Sequence, residues 1–160
     1  LFPVLIMRRA THIHRSGHWP DAEVVGTVTL ALDQRHRRRF RMKDDDGQAF
    51  LLDLAEAVLL GDGDGLALDD GGILRVTAAN EPVCDVTAQS PVHMARLVWH
   101  IGNRHTPVQV IDDITLRILD DHVLVHMLQG LGATVLNRRA PFSPESGAYA
   151  LNGGSHSHEH

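Results

Sequence analysis

Val98-Trp99-His100-Ile101-Gly102-Asn103-Arg104-His105-Thr106-Pro107-Val108-Gln109-Val110 is the stretch on which the architecture turns. An apolar run of helical character stops at Gly102, a residue suited to a helix C-cap. A short polar corner, Asn103-Arg104-His105, follows. Pro107 excludes further helix, and Val108 and Val110 begin an alternation that reads as strand. The stretch predicts a helix-to-strand corner with the imidazole of His105 exposed upon it.

The helix entering this corner has a readable start. Ser90 is an N-cap residue type and Pro91 suits the first helical position. Met94, Leu97, Val98 and Ile101 form one apolar stripe, which Val92, Ala95 and Trp99 extend around the cylinder. Only His93, Arg96 and His100 make a polar stripe. One sheet face does not need so wide an apolar arc, so a second buried contact, another subunit, is expected. Before the helix, Val83-Cys84-Asp85-Val86-Thr87 alternates as a strand. After the corner come a strand at 107–111, an Asp112-Asp113 turn and a strand at 114–119. Asp120 or Asp121 then caps a second helix, with Val123, Leu124, Met127, Leu128 and Leu131 expected inward. Gly130 and Gly132 end it, and 133–137 is the last strand. The order β-α-β-β-α-β is that of the ferredoxin-like split motif.

Upstream the period is that of β structure. Val24–Ala31, Arg37–Lys43, Ala49–Leu54, Leu66–Leu68 and Ile73–Ala78 read as short strands, with a further apolar run at 58–60, all punctuated by Gly/Asp turns. The class expected is therefore α+β: an N-terminal all-β domain over 1–80, a ferredoxin-like domain over 81–150, and a flexible His-bearing tail over 151–160. Arg35-His36-Arg37-Arg38-Arg39 reads as a solvated strand end or a patch for an acidic protein partner. Aromatic stacking residues are too sparse nearby to favour nucleic acid. Asp62, Asp64, Asp69 and Asp70 lack the spacing of an EF-hand and read as turn residues.

Composition narrows the function. The 160 residues carry a net charge of -5 with histidines neutral, which argues against a general binder of nucleic acid or membrane surfaces. A single cysteine, Cys84, rules out an intrachain disulfide and a thiolate metal cage, and suits a reducing cytosol. The apolar opening Leu1–Met7 is too short to span a membrane. It also precedes Arg8-Arg9, the reverse of a signal peptide's order. A cytoplasmic protein is expected. No Gly-rich phosphate loop ending in Lys-Ser or Lys-Thr is present, so nucleotide hydrolysis is not supported.

Histidine is the residue that carries chemistry. His12, His14 and His18 make a His-x-His followed by a third His, a pattern able to bind metal, but they fall in an N-terminal segment that reads as irregular, with no rigid element to fix metal geometry, and solvated histidines are the favoured reading. His122-Val123-Leu124-Val125-His126 has the i, i+4 spacing of a zinc-protease helix but lacks the Glu that such an enzyme needs as general base. Both histidines lie opposite the apolar face and are expected at the surface. They can chelate together, although solvated surface histidines are the commoner explanation. The ending Ser155-His156-Ser157-His158-Glu159-His160 places three imidazoles on a flexible segment. Imidazole favours nickel, copper and zinc over magnesium or calcium. One fixed His and a mobile His cluster suit metal capture and transfer rather than bond-breaking.

His100-Ile101-Gly102-Asn103-Arg104-His105 followed by Pro107-Val108-Gln109 resembles the most characteristic segment of the urease accessory protein UreE family. Asp121-His122-Val123-Leu124, Leu131-Gly132, Pro141–Glu145 and Gly147-Ala148-Tyr149 match its later motifs in order. Weaker matches reach upstream through Asp70-Gly71-Gly72 and the Ala79–Pro82 junction. The resemblance implies a dimeric nickel metallochaperone, not an enzyme, that supplies Ni²⁺ for assembly of the urease active site. Its partners would be the urease accessory GTPase and the urease apoprotein complex. It implies a peptide-binding-like N-terminal β domain and a ferredoxin-like C-terminal domain. The interfacial metal ligand falls on His105 and the tail ligands on His156, His158 and His160. Some members carry further histidines just before the Asp-His-Val-Leu motif; here Leu119 and Asp120 stand there, and His122 alone remains. Zn²⁺ or Cu²⁺ is expected to substitute in vitro. The competing readings are a zinc or copper buffering protein and a peptide-binding chaperone module without nickel delivery.

Overall fold

A computed structural model describes residues 6–147. The chain is mixed α+β and divides into two compact units, with the break between Ala78 and Ala79.

The first unit is built on one mixed sheet. Its strands are β1 (Arg8–His14), β2 (Val24–Leu30), β3 (His36–Lys43), β4 (Ala49–Leu59), β5 (Gly65–Leu68) and β6 (Ile73–Ala78), in the order β2-β6-β5-β1-β4-β3. A one-turn helix, α1 (Leu32–Arg35), links β2 to β3. Val28, Leu30, Met42, Phe50, Leu52, Leu66, Leu74 and Val76 fill the core. The period of two puts Phe50, Leu52 and Leu54 of β4 on that one face.

Three expectations are corrected here. The first twenty residues are not irregular throughout: β1 is an interior strand, parallel to β4 and antiparallel to β5. Its alternation is hidden by a β-bulge between Ala10 and His12. The apolar runs at 49–54 and 58–60 do not make two elements, because β4 runs unbroken over Ala49–Leu59. Its pairing with β3 slips from Arg39↔Asp53 to Arg37↔Val58, a register shift that coincides with the exposed Ala55-Glu56-Ala57 between the two runs. Arg35 is not part of a solvated strand end. It is fully buried, and its Nη1 donates to the Leu60 carbonyl at 3.4 Å. The aspartates do organise turns. Asp64, itself buried, accepts from the backbone N–H of Gly61 at 2.7 Å and of Ser16 at 2.9 Å and pairs with Arg15 at 2.8 Å. Asp62 accepts from Ala78 N–H at 2.8 Å and Asp69 from Arg9 N–H at 3.0 Å.

The second unit has strands β7 (Glu81–Thr87), β8 (Gln109–Val110), β9 (Thr115–Leu119) and β10 (Thr134–Ala140), with helices α2 (Pro91–Asn103) and α3 (His122–Gly130). The sheet order is β10-β7-β9-β8, and all neighbours are antiparallel. Met94, Leu97 and Ile101 of α2 and Leu124 and Leu128 of α3 share one core with Cys84, Val86, Leu116 and Ile118 of the central strands. Both helices therefore cover the same sheet face. Val123 and Leu131, expected inward, are 58% and 37% exposed. A helix packed on a single sheet buries a narrow stripe, and Leu124 and Leu128, four apart, occupy it.

A candidate metal-capture corner

Ser90 starts α2 as its residue type predicts: its Oγ accepts from the His93 N–H at 3.1 Å, and Pro91 fills the first turn. The His93 ring locks the same end. Its Nδ1 accepts from the Gln89 N–H at 2.9 Å, which leaves Nε2 to donate to the Leu131 carbonyl at 2.8 Å. The imidazole thus ties the start of α2 to the end of α3.

The other end of α2 departs from the sequence expectation. Gly102 is not the cap; the helix continues through it to Asn103. The residue that takes the left-handed conformation is His105, with φ of 54°, and among the described residues it is the only non-glycine at positive φ. Left-handed backbone costs an ordinary L-residue about 1 kcal/mol. The corner holds it in place: His105 N–H donates to the Gly102 carbonyl at 3.1 Å, and Arg104 N–H donates to that of Ile101 at 3.0 Å. Arg104 Nε also reaches Met127 Sδ at 3.0 Å, which fastens the corner to α3. Beyond it, β8 is braced by the segment after β10. Glu145 N–H donates to the Val108 carbonyl at 2.8 Å, Glu145 Oε1 accepts from Val110 N–H at 3.0 Å, and Gln109 Oε1 accepts from Ser143 N–H at 2.9 Å. Sequence reasoning missed Arg104 and Glu145 as positioning residues. A helix-end arginine and a loop glutamate carry no local pattern that announces such long-range partners.

His105 is exposed. So is much of the apolar surface leading to it: Val92 and Trp99, seven residues apart on one side of α2, are each 64% exposed. With Ala95, Arg96 and Leu131 they line a shallow groove. The wide apolar arc expected for α2 is present, and its outer part is uncovered within one chain.

The remaining candidates separate. His122 is the first residue of α3, exposed, beside the N-cap Asp121 whose Oδ1 accepts from Val123 and Leu124 N–H at 2.9 and 3.0 Å. His126, one turn later, is also exposed. His156, His158 and His160 lie outside the described residues. Among the described residues no three His, Cys, Asp or Glu side chains come together as a metal site. Cys84 is buried, and burial, reinforced by a hydrogen bond to Asp120, pushes its thiol up to about 11, so it offers no thiolate at neutral pH. Among the described residues of one chain the exposed imidazoles therefore stand singly or in pairs, each able to give an ion one nitrogen.

Sequence models described as UreE urease accessory protein, N-terminal domain, and UreE urease accessory protein, C-terminal domain, match residues 6–79 and 81–160. Among similar proteins, the urease accessory protein UreE of Rhodopseudomonas palustris (strain HaA2) is 46% identical over 144 residues, covering 90% of this chain and 66% of its own length. That of Chelativorans sp. (strain BNC1) is 50% identical over 133 residues, covering 83% of this chain and 81% of the relative. That of Agrobacterium fabrum is 45% identical over 153 residues, covering 96% and 93%. The chain thus spans slightly less than two thirds of the first relative and nearly all of the last.

Proposed function

Because the chain belongs to the UreE family of urease accessory proteins, we propose that it is a homodimeric nickel metallochaperone, not an enzyme, delivering Ni²⁺ for assembly of the urease active site. The observation that carries this reading is His105: an exposed imidazole held at positive φ on a braced corner, at the end of a helix whose outer apolar face is uncovered. One imidazole is too few donors for a tight site. A two-fold axis beside the corner brings a second copy of the same nitrogen to the first, as closed symmetry does for any residue near the axis. Burying Val92 and Trp99 in that contact removes apolar surface from water at about 25 cal/mol per Å². Imidazole is a borderline donor suited to nickel, so the residues present fit the ion. A shared site of few ligands stays open to exchange, which delivery requires.

In this reading His156, His158 and His160 complete or relay the ligation, and His122 is a peripheral ligand at most. The order β10-β7-β9-β8 supports describing the second unit as ferredoxin-like. The partners are the urease accessory GTPase and the urease apoprotein complex. The compartment is the cytoplasm; among the described residues no helix is long and apolar enough to cross a membrane. Activation of apo-urease by the nickel-loaded protein, in competition with zinc, tests delivery. Nickel-dependent activation is expected. Tight binding of zinc or copper with no transfer to apo-urease indicates a buffering protein instead.

A further inference from the structure

Sequence alone offers His12, His14 and His18 no rigid element, and for His12 and His14 the structure supplies one, β1. It runs between β4 and β5: pairing to β4 holds Arg8–Ala10, and pairing to β5 holds Ala10 and His12–His14. A bulge interrupts the ladder to β5: Ala10 stands opposite Leu68, His12 opposite Ala67 and His14 opposite Gly65, which leaves Thr11 as the extra residue. That one residue changes which side chains meet the core. Ala10 is buried and Ile13 packs against the core cluster, three positions apart rather than two or four. His12 and His14 are exposed on the opposite face. Without the bulge, Ala10, His12 and His14 would share one face and both rings would be aimed inward. The bulge thus aims two imidazoles outward from an otherwise ordinary interior strand.

The pair has the features of a chelate. Residues two apart on a strand stand about 6.7 Å apart on the same side, within reach of one ion at metal–nitrogen distances of about 2.0–2.1 Å. Thr11 Oγ1 lies 3.0 Å from His12 Nδ1. With the proton on Nδ1 donated to that hydroxyl, Nε2 presents its lone pair, the arrangement that fixes ligating imidazoles. Opposite the two rings β5 carries only Ala67 and Gly65, so no long side chain of that strand intervenes. We propose that His12 and His14 form a two-imidazole site for a borderline divalent cation of the nickel, copper and zinc class, with water filling the other positions. It lies in the first unit and does not depend on His105.

Trp19 supplies the reporter. A Cβ built on Gly65, the partner of His14, would stand 2.9 Å from Cε2 of the Trp19 indole. Trp99 is the only other tryptophan, so Trp99→Phe in the full chain leaves Trp19 as the sole indole. Titration of this protein with Ni²⁺ is expected to quench its fluorescence. The quenching is expected to persist in His18→Ala and to be lost in the His12→Ala, His14→Ala double variant. His12→Asn and His14→Asn singles, each expected to weaken the quenching, serve if the double variant does not fold. Absence of quenching in the Trp99→Phe protein, equal quenching after loss of the pair, or quenching that follows His18 instead overturns the proposal.

Discussion

Arg117 grips Asp85 with two parallel hydrogen bonds, Nε to Oδ1 at 2.7 Å and Nη2 to Oδ2 at 3.1 Å, across the β9–β7 pair at the centre of the second unit. Arg138 of β10 adds a third at 3.2 Å, and Arg117 Nη1 donates to the Pro141 carbonyl at 3.0 Å. One carboxylate therefore ties three adjacent strands, and its arginine reaches on to the segment that braces β8. Both partners of the two-fold grip are largely buried, so this is not a surface pair of negligible worth.

The grip sets an acid dependence. The Arg117 hydrogen bonds hold the Asp85 carboxyl below its usual range, against the opposing effect of burial. A carboxylate with a depressed folded pKa contributes stability above its unfolded pKa of about 3.9 and loses it as pH falls through the lower folded value. Asp85→Asn is expected to cost about 2 kcal/mol at pH 7, the order of hydrogen bonds to a charged group. The difference from the parent protein should shrink as pH drops below about 4. Urea unfolding of both proteins at pH 7 and at acid pH checks this; a difference independent of pH would mean that the charge is irrelevant.

His105→Gly separates backbone from chemistry. Glycine accepts positive φ without the cost that histidine bears, so the variant should be at least as stable as the parent, by up to about 1 kcal/mol. It should nonetheless lose the shared metal ion. Thermal unfolding and metal analysis on one sample decide the matter, and a clear drop in stability would show that the ring itself supports the fold.

Cys84 should be silent. Its thiol, raised to about 11 by burial, is protonated at pH 7.5 and closed off from solvent. Iodoacetamide is expected to leave the folded protein unmodified and to label it rapidly once it is unfolded in denaturant. Prompt labelling of the native chain would mean that the second unit opens far more readily than its core implies.

Deleting 153–160 tests the tail. Both core clusters, with Val135 packed on the second, and the buried Ala140 and Phe142 precede residue 153, so the truncated chain should fold and dimerise. Its nickel affinity or capacity should fall. An isotherm identical to that of the full chain would remove His156, His158 and His160 from the account.

Much of the second unit was legible because its signals are local. Ser90 and Pro91 mark a start and Asp121 caps a helix, and the structure has each of these in its predicted role. The first unit concealed more. Thr11 breaks the alternation of β1, so a period of two finds no strand there. The exposed Ala55-Glu56-Ala57 splits β4 into two apparent strands, and α1 is a single turn, too short for a 3.6 period to register. At the candidate corner, the polar exposed end of α2 could be read, but the identity of its left-handed residue could not. Glycine is the usual choice for that conformation, and here Gly102 stays helical while His105 takes it. The proposed shared site requires a second copy of the chain, which the apolar arc of α2 suggests and a single copy cannot display.

Calorimetric titration of the full chain with Ni²⁺, with molar mass followed by light scattering, tests the central claim when parent and His105→Ala are run side by side. The account predicts that His105→Ala remains a folded dimer and loses one nickel ion per dimer, together with most of the activation of apo-urease. A His105→Ala dimer that retains the full nickel stoichiometry and activates apo-urease normally would contradict it.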